Sequence, residues 1–181
     1  MTHDTIAAFA VLGVVGQVLA VVIALLLLVA RDWVRRILWG YELWAAFVVA
    51  ALATGGSLFL SDVAGFIPCE LCWFQRICMY PLSILTLIAA FHGDYRFARY
   101  LLPLPVVGAC VSVYHLLVEN HVVATPQACQ VGAGCTVKWI DYFGYMTIPT
   151  LALTAFVLLI EFLGLAAAGG GEDIATLPAD A

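Results

Sequence analysis

Five long apolar stretches separated by short polar gaps organise this chain. They run over about 5–30, 41–60, 74–92, 100–118 and 146–168. The gaps open at Arg31-Asp32, Ser61-Asp62, His92-Gly93-Asp94 and Glu119-Asn120. Each stretch is close to the ~20 residues that a helix needs to cross ~30 Å of hydrocarbon. The pattern predicts an all-α fold, a polytopic membrane helix bundle of five spans. The first turn of the third stretch should overlap the cysteine pair at 69–72. No internal repeat is visible. Residues 169–181 are rich in Gly, Ala, Asp and Glu with little to bury, so a disordered cytoplasmic tail is expected there.

Composition agrees with the pattern. The chain is 65% hydrophobic and 10% charged, whereas soluble domains are roughly half apolar and a quarter charged. Seven scattered Lys and Arg residues form no basic patch, so nucleic acid is not an expected partner. Thr2, His3 and Asp4 lack the positive charge of a signal peptide, and the first apolar stretch is too long for one. It is therefore read as a retained span. Arg31, Arg35, Arg36, Arg96 and Arg99 lie in alternate gaps, against Arg76 and Lys138 in the others. That bias predicts a multi-pass protein of the cell (inner or plasma) membrane, with 31–36 and 93–99 cytoplasmic. The N-terminus is then outside and the C-terminus inside. Both gaps that carry cysteine pairs, 69–72 and 129–135, face outward.

Those pairs hold the candidate chemistry. In Pro68-Cys69-Glu70-Leu71-Cys72-Trp73-Phe74-Gln75-Arg76, Pro68 suits a first helical turn. Positions 69, 72 and 76 are spaced i, i+3, i+7 and share one helix face. The positive helix end and Arg76 both favour a thiolate, the species that attacks disulfides. Arg76 is also placed to hold the carbonyl oxygen of a quinone ring. Cys129 and Cys135 enclose Gln130-Val131-Gly132-Ala133-Gly134, a bendable loop that can admit a protein thiol. A disulfide closing so small a loop stabilises little through chain entropy, which favours exchange over stapling. Two dithiols above a hydrophobic slab suggest electron transfer between soluble thiols and something dissolved in the lipid. Zinc held by four thiolates, purely structural disulfides and a snorkelling Arg76 are the competing readings.

Other residues attract notice. Cys78 and Cys110 fall inside spans and read as small apolar residues. His115 and His121 lie near the outer end of the fourth stretch. Either can shuttle protons to a reduced quinone or simply be an interfacial, hydrogen-bonded histidine. Glu161, an acid inside the fifth span, reads as a snorkelling or paired structural group. Asp62 and Glu70 flank the first pair, where negative charge tunes thiol acidity or keeps the loop wet.

The stretch G-F-I-P-C-E-L-C-W-F-Q-R-I-C-M-Y-P-L at 65–82 resembles the disulfide bond formation protein B (DsbB) family, more closely its BdbC-like branch. A second stretch, C-x5-C-T-V-K-W-I-D-Y-F-G-Y-M-T-I-P-T-L-A-L at 129–153, is similar to the same branch. The resemblance covers roughly 41–165. It implies a four-helix membrane bundle that re-oxidises a DsbA/BdbD-like thioredoxin-fold thiol oxidase. The electrons would pass to a membrane quinone, ubiquinone or menaquinone, supporting disulfide formation outside the cytoplasm. By position it implies disulfides Cys69–Cys72 and Cys129–Cys135. Cys69 and Cys72 would be the quinone-proximal pair, with Cys72 the thiolate touching quinone and Arg76 its neighbour. Cys129 and Cys135 would trade disulfides with the partner, Cys129 being the cysteine attacked. The chain would then divide into an extra N-terminal transmembrane helix with a cytoplasmic loop (1–40), a redox core (41–168) and a tail (169–181). It departs from the family pattern in that extra helix, in a shorter second loop, and in Cys78 and Cys110. A vitamin K epoxide reductase-like enzyme, whose C-x-x-C lies late in the bundle, and a non-catalytic zinc-binding membrane protein are the alternatives.

Overall fold

The apolar stretches become helices whose ends fall at the polar gaps. The computed structural model describes residues 2–130 and 134–169. Its helices are α1 (Thr2–Val29), α2 (Arg31–Leu38), α3 (Glu42–Leu58), α4 (Glu70–His92), α5 (Ala98–Leu101), α6 (Pro103–Glu119) and α7 (Ile148–Gly169). Five of the resulting segments are long and apolar enough to span a bilayer: Thr5–Val29, Glu42–Val63, Glu70–His92, Ala98–Glu119 and Ile148–Gly169. No strand occurs among the described residues beyond one isolated bridge, Tyr142 to Met146. The all-α, five-span expectation therefore holds, while the expected tail beyond Gly169 lies outside the described residues.

Local chemistry sets the boundaries. The connection 31–40 is itself mostly helical, because α2 buries Val34 and leaves Arg31 and Arg36 exposed. Arg35 donates to the carbonyl of Ala168, which ties α2 to the last turn of α7. The chain leaves α3 through a π turn, Phe59–Val63, which widens the helix beside the first cysteine pair. Helix α4 starts two residues later than Pro68 alone suggests. Cys69 is its N-cap, and its sulfur accepts the backbone N–H of Cys72 at 3.4 Å. Gly93 ends α4 at φ +62°, a left-handed cap that glycine adopts without Cβ strain.

Helix α7 is the spine. Its Phe156, Leu159 and Leu163 are fully buried, and it packs against α1, α3 and α6. The ring of Phe156 sits directly on Gly108 of α6, where a Cβ would overlap it. Replacing Gly108 with Leu should therefore destabilise the bundle by about 1–3 kcal/mol or more, the cost of overpacking a filled core. Gly55→Ala, where a Cβ meets open space, should be neutral or slightly stabilising, by up to about 1 kcal/mol. Thermal unfolding in detergent separates the two, and equal melting temperatures would contradict this packing.

The bundle has two distinct ends. Arg31, Arg35, Arg36, Arg96 and Arg99 gather at the end where α2 meets the close of α7. Both cysteine pairs lie at the other, where the α3–α4 and α6–α7 connections meet and the rings of Phe66 and Trp139 stack at 5.1 Å.

Candidate active site at the cysteine end

All four candidate cysteines converge on one buried cluster. Cys69, Cys129, Cys135, Leu71 and Val118 pack together, with Cys72 against them. Cys129 and Cys135 form a disulfide. Cys69 and Cys72 are free thiols with their sulfurs 2.9 Å apart. The sequence expected an accessible second pair on an open loop. Instead Cys129 is 2% exposed and Cys135 1%, because the connection folds down onto α6. The loop residues Val131, Gly132 and Ala133 lie outside the described residues. Cys78 and Cys110 are free and stand apart from the cluster, Cys78 buried and Cys110 exposed.

Both residues of the first pair adjoin His115 in a small pocket, and only Cys72 also lines the larger cavity. Cys69 turns toward α6 and the second pair, and its sulfur lies 3.6 Å from His115 Nε2. Cys72 lines a cavity of about 320 Å³ together with Arg76. Arg76 stacks over Trp73, its guanidinium carbon 5.3 Å from the ring centre. It also donates to the carbonyl of Ser57 at 3.1 Å. Tyr80 donates to the hydroxyl of the same serine at 3.3 Å, so α3 holds the polar wall in place. Phe66 and Trp139 roof the cavity, whose lining is otherwise almost wholly apolar.

His115 separates from His121 only once the chain is folded. His121 is exposed in the turn after α6, at φ +56°. His115 is 3% exposed and sits between the two cysteine pairs. Its protonation follows from the hydrogen-bond network. Ser112 donates to the carbonyl of Gly108 at 2.9 Å, so its oxygen accepts from the Gln75 amide at 3.1 Å. That amide also reaches His115 Nδ1 at 3.5 Å, which makes Nδ1 the acceptor. Nε2 therefore carries the proton and donates to the carbonyl of Cys135 at 3.2 Å, facing the Cys69 sulfur as well. Gln75 and Ser112 gave no signal in the sequence, since the pair is 37 residues apart and meets only when α4 packs on α6.

Electrostatics follow from this geometry. The thiol of Cys69 is held down to about 4, first by the hydrogen bond from Cys72 and then by His115, against burial that pushes it up. In this dithiol state the thiolate is Cys69. Nearby, the buried carboxylate of Glu119 lies 3.8 Å from Lys138 Nζ. Both residues line a small second pocket with Cys69, Cys72 and His115. One carboxyl oxygen of Glu161, in α7, where a snorkelling or paired role was expected, is buried without a hydrogen-bond partner.

The sequence that builds this site has relatives among known proteins. The disulfide bond formation protein DsbB family matches residues 41–168. The chain belongs to this family. Among its relatives, disulfide bond formation protein C of Bacillus subtilis (strain 168) is 47% identical over 123 residues, covering 67% of this chain and 88% of the relative. Probable disulfide formation protein C 1 of Bacillus anthracis is 43% identical over 122 residues, covering 66% and 86%. A probable disulfide formation protein of Coxiella burnetii (strain Dugway 5J108-111) is 39% identical over 138 residues, covering 72% and 90%. No solved structure matches the chain. As a DsbB family member it is a multi-pass membrane protein of disulfide formation, and the two cysteine pairs of its α3–α4 and α6–α7 connections lie within the matched residues. Helices α1 and α2 lie before them.

Proposed function

We propose that the protein is a thiol:quinone oxidoreductase that re-oxidises a thioredoxin-fold thiol oxidase and delivers the electrons to a membrane quinone. The observation that carries this reading is that the first pair adjoins two surroundings, with Cys72 alone of the two lining the larger cavity. Cys69 faces the second pair through His115, and Cys72 faces a lipid-level apolar cavity beside Arg76. The cavity suits a quinone because it joins one cationic, hydrogen-bonding wall to an otherwise apolar lining. When bound, a quinone accepts two electrons and two protons. Arg76 and Cys72 would hold its ring end, and the apolar walls its tail.

The chain's own residues then do the following. A dithiol partner attacks the Cys129–Cys135 disulfide, taking that bond as its own and leaving two thiols. The bond must first be uncovered, since both residues are buried. One of these thiols attacks the Cys69 sulfur of an oxidised Cys69–Cys72 pair. Cys69 is then bound in a mixed disulfide, and Cys72 is released as a thiolate beside Arg76. The second thiol resolves the mixed disulfide, restoring Cys129–Cys135 and leaving the first pair with two electrons to pass on. His115, protonated on Nε2, stabilises the Cys69 thiolate released when the mixed disulfide is resolved. The balance is one partner dithiol and one quinone consumed, one partner disulfide and one quinol formed.

Residues 41–168 are proposed as the redox core and 1–40 as an appended helix with its connection. The cysteine end faces outward and the arginine end the cytoplasm, as the charge bias requires. A metal-binding reading draws on the donor atoms of Cys69, Cys72 and His115, all within 4.8 Å of one another. Two thiolates on one zinc, each at ~2.3 Å in tetrahedral geometry, stand roughly 3.8 Å apart, and the pair here is at 2.9 Å. The protonated Nε2 is also already committed to Cys135. Stoichiometric zinc in protein purified under reducing conditions would favour the metal reading.

The test is quinone reduction by purified protein supplied with a reduced thioredoxin-fold oxidase, followed by absorbance with ubiquinone and menaquinone analogues. Turnover is expected with at least one, and its absence with both contradicts the reading. Arg76→Gln should raise the quinone KM about 10–100-fold, the loss of one charge-assisted hydrogen bond worth ~1.5–3 kcal/mol. An unchanged KM would leave Arg76 as an interfacial anchor.

A further inference from the structure

We propose that α1, which lies outside the family match, forms the lipid-side wall of the quinone cavity and contacts the isoprenoid tail. The inference rests on the quinone reading above and concerns a part of the site that residues 41–168 do not supply.

Phe9, Leu12, Gly13, Val15 and Gly16 of α1 line the same cavity as Cys72 and Arg76. Across it stand Val49, Leu52 and Gly56 of α3, with Leu151 and Leu158 of α7 alongside. The lining on α4 runs from Cys72 to Tyr80, and on α3 and its π turn from Val49 to Leu60. At ~1.5 Å per residue these spans are roughly 12–16 Å deep, longer than a quinone ring. The polar groups Cys72, Arg76 and Ser57 lie at the cysteine end, and Val49, Leu52 and Leu158 lie deeper. The ring belongs at the polar end, and the first part of the tail beside α1.

Helix α1 is built for this seat. Glycines at 13 and 16 bring it close to α7. A Cβ at Gly13 would overlap the Leu151 side chain, and one at Gly16 would lie 3.1 Å from Thr154 Cγ2. Small residues on one helix face permit such approach inside a membrane. Gln17 accepts a hydrogen bond from Tyr145 at 3.1 Å, fixing its height against the α6–α7 connection. On the other side Phe9 reaches α3, its ring 5.8 Å from that of Phe59 and its edge 3.1 Å from where Gly56 would carry a Cβ. Helix α1 thus leans on α7 and touches α3 near the cysteine end, with the cavity between them. Without it, Val49, Leu52 and Leu158 would line a groove open to lipid. With it, the tail leaves between two protein walls.

The test is photolabelling of the full-length protein in lipid nanodiscs. The probe is a quinone whose photoreactive group sits on the first isoprene unit, and labelled peptides are mapped by mass spectrometry. The expected result is label within residues 9–16, displaced by excess unmodified quinone. Displaceable label confined to α3, α4 or α7 overturns the role of α1 while leaving the quinone reading intact. No displaceable label anywhere overturns both. A second arm uses Val15→Trp, which enlarges an exposed residue of the cavity's α1 wall. It should raise the KM for a long-tailed quinone about tenfold and leave that for a tail-less analogue unchanged. Equal effects on the two quinones would overturn the proposal.

Discussion

Replacing Cys72 with serine should abolish quinone reduction, by about 10³-fold or more, as removal of a covalent participant does in other enzymes. Serine keeps the size of the side chain but cannot form a disulfide or donate electrons. Cys69→Ser should be equally inactive, for a different reason. Cys69 is the sulfur that faces His115 and the second pair, so its loss interrupts the path before the cavity. The two variants separate under trapping. With the second pair oxidised, Cys72→Ser should accumulate a disulfide between Cys69 and that pair, as the Cys69 thiolate attacks the Cys129–Cys135 bond and releases one thiol, whereas Cys69→Ser should not. Non-reducing gels followed by peptide mapping distinguish them. A trapped species through Cys72 in the Cys69→Ser protein would reverse the roles assigned to the two sulfurs.

The second large effect concerns acidity. With Cys69 held near pH 4, the reduced first pair carries one thiolate and one thiol across the neutral range. Its reduction then takes up two electrons and one proton, and the potential should fall by about 30 mV per pH unit above pH 4. Below that, two protons accompany two electrons and the slope should steepen to about 59 mV. The sign follows from the depressed value. Stabilisation of the folded dithiol form is complete above the ordinary thiol range and is lost as pH falls through about 4. Cys72, His115, Glu119 and Lys138 are the titratable or charged groups around the Cys69 sulfur. The hydrogen bond from Cys72 is the largest influence, so Cys72→Ala should raise the Cys69 thiol further than His115→Ala does. Thiolate absorbance near 240 nm, in a Cys129→Ser and Cys135→Ser background, reads both. A midpoint near the ordinary thiol value in the parent protein would contradict the geometry around Cys69.

What the sequence made legible was local. Cys69, Cys72 and Arg76 fall on one face because i, i+3, i+7 spacing fixes them within a single helix. The five spans follow from apolar run length alone. The residues that escaped notice depend on contacts between distant segments. Gln75 reads as an unremarkable polar residue until α6 brings Ser112 and His115 against it. His115 and His121 are equivalent by position in the sequence, and only packing buries one and exposes the other. The glycines around the second pair suggested an open loop, whereas Cys129 and Cys135 are buried by long-range packing that loop composition does not encode. The first apolar stretch announced a span but not its neighbour. Its seat on α7 depends on Gly13 and Gly16 meeting Leu151 and Thr154, more than a hundred residues away.

The central claim is that electrons pass from the second pair through the first to a quinone. Its most direct test is the yield of quinol from fully reduced protein mixed once with excess quinone. Each dithiol supplies two electrons, so the parent protein should form about two quinols per chain. A Cys129→Ser, Cys135→Ser protein should form about one. A Cys69→Ser, Cys72→Ser protein should form none, although its second pair is reduced. One quinol from that last protein would mean the second pair reaches quinone unaided, and the relay described here would be wrong.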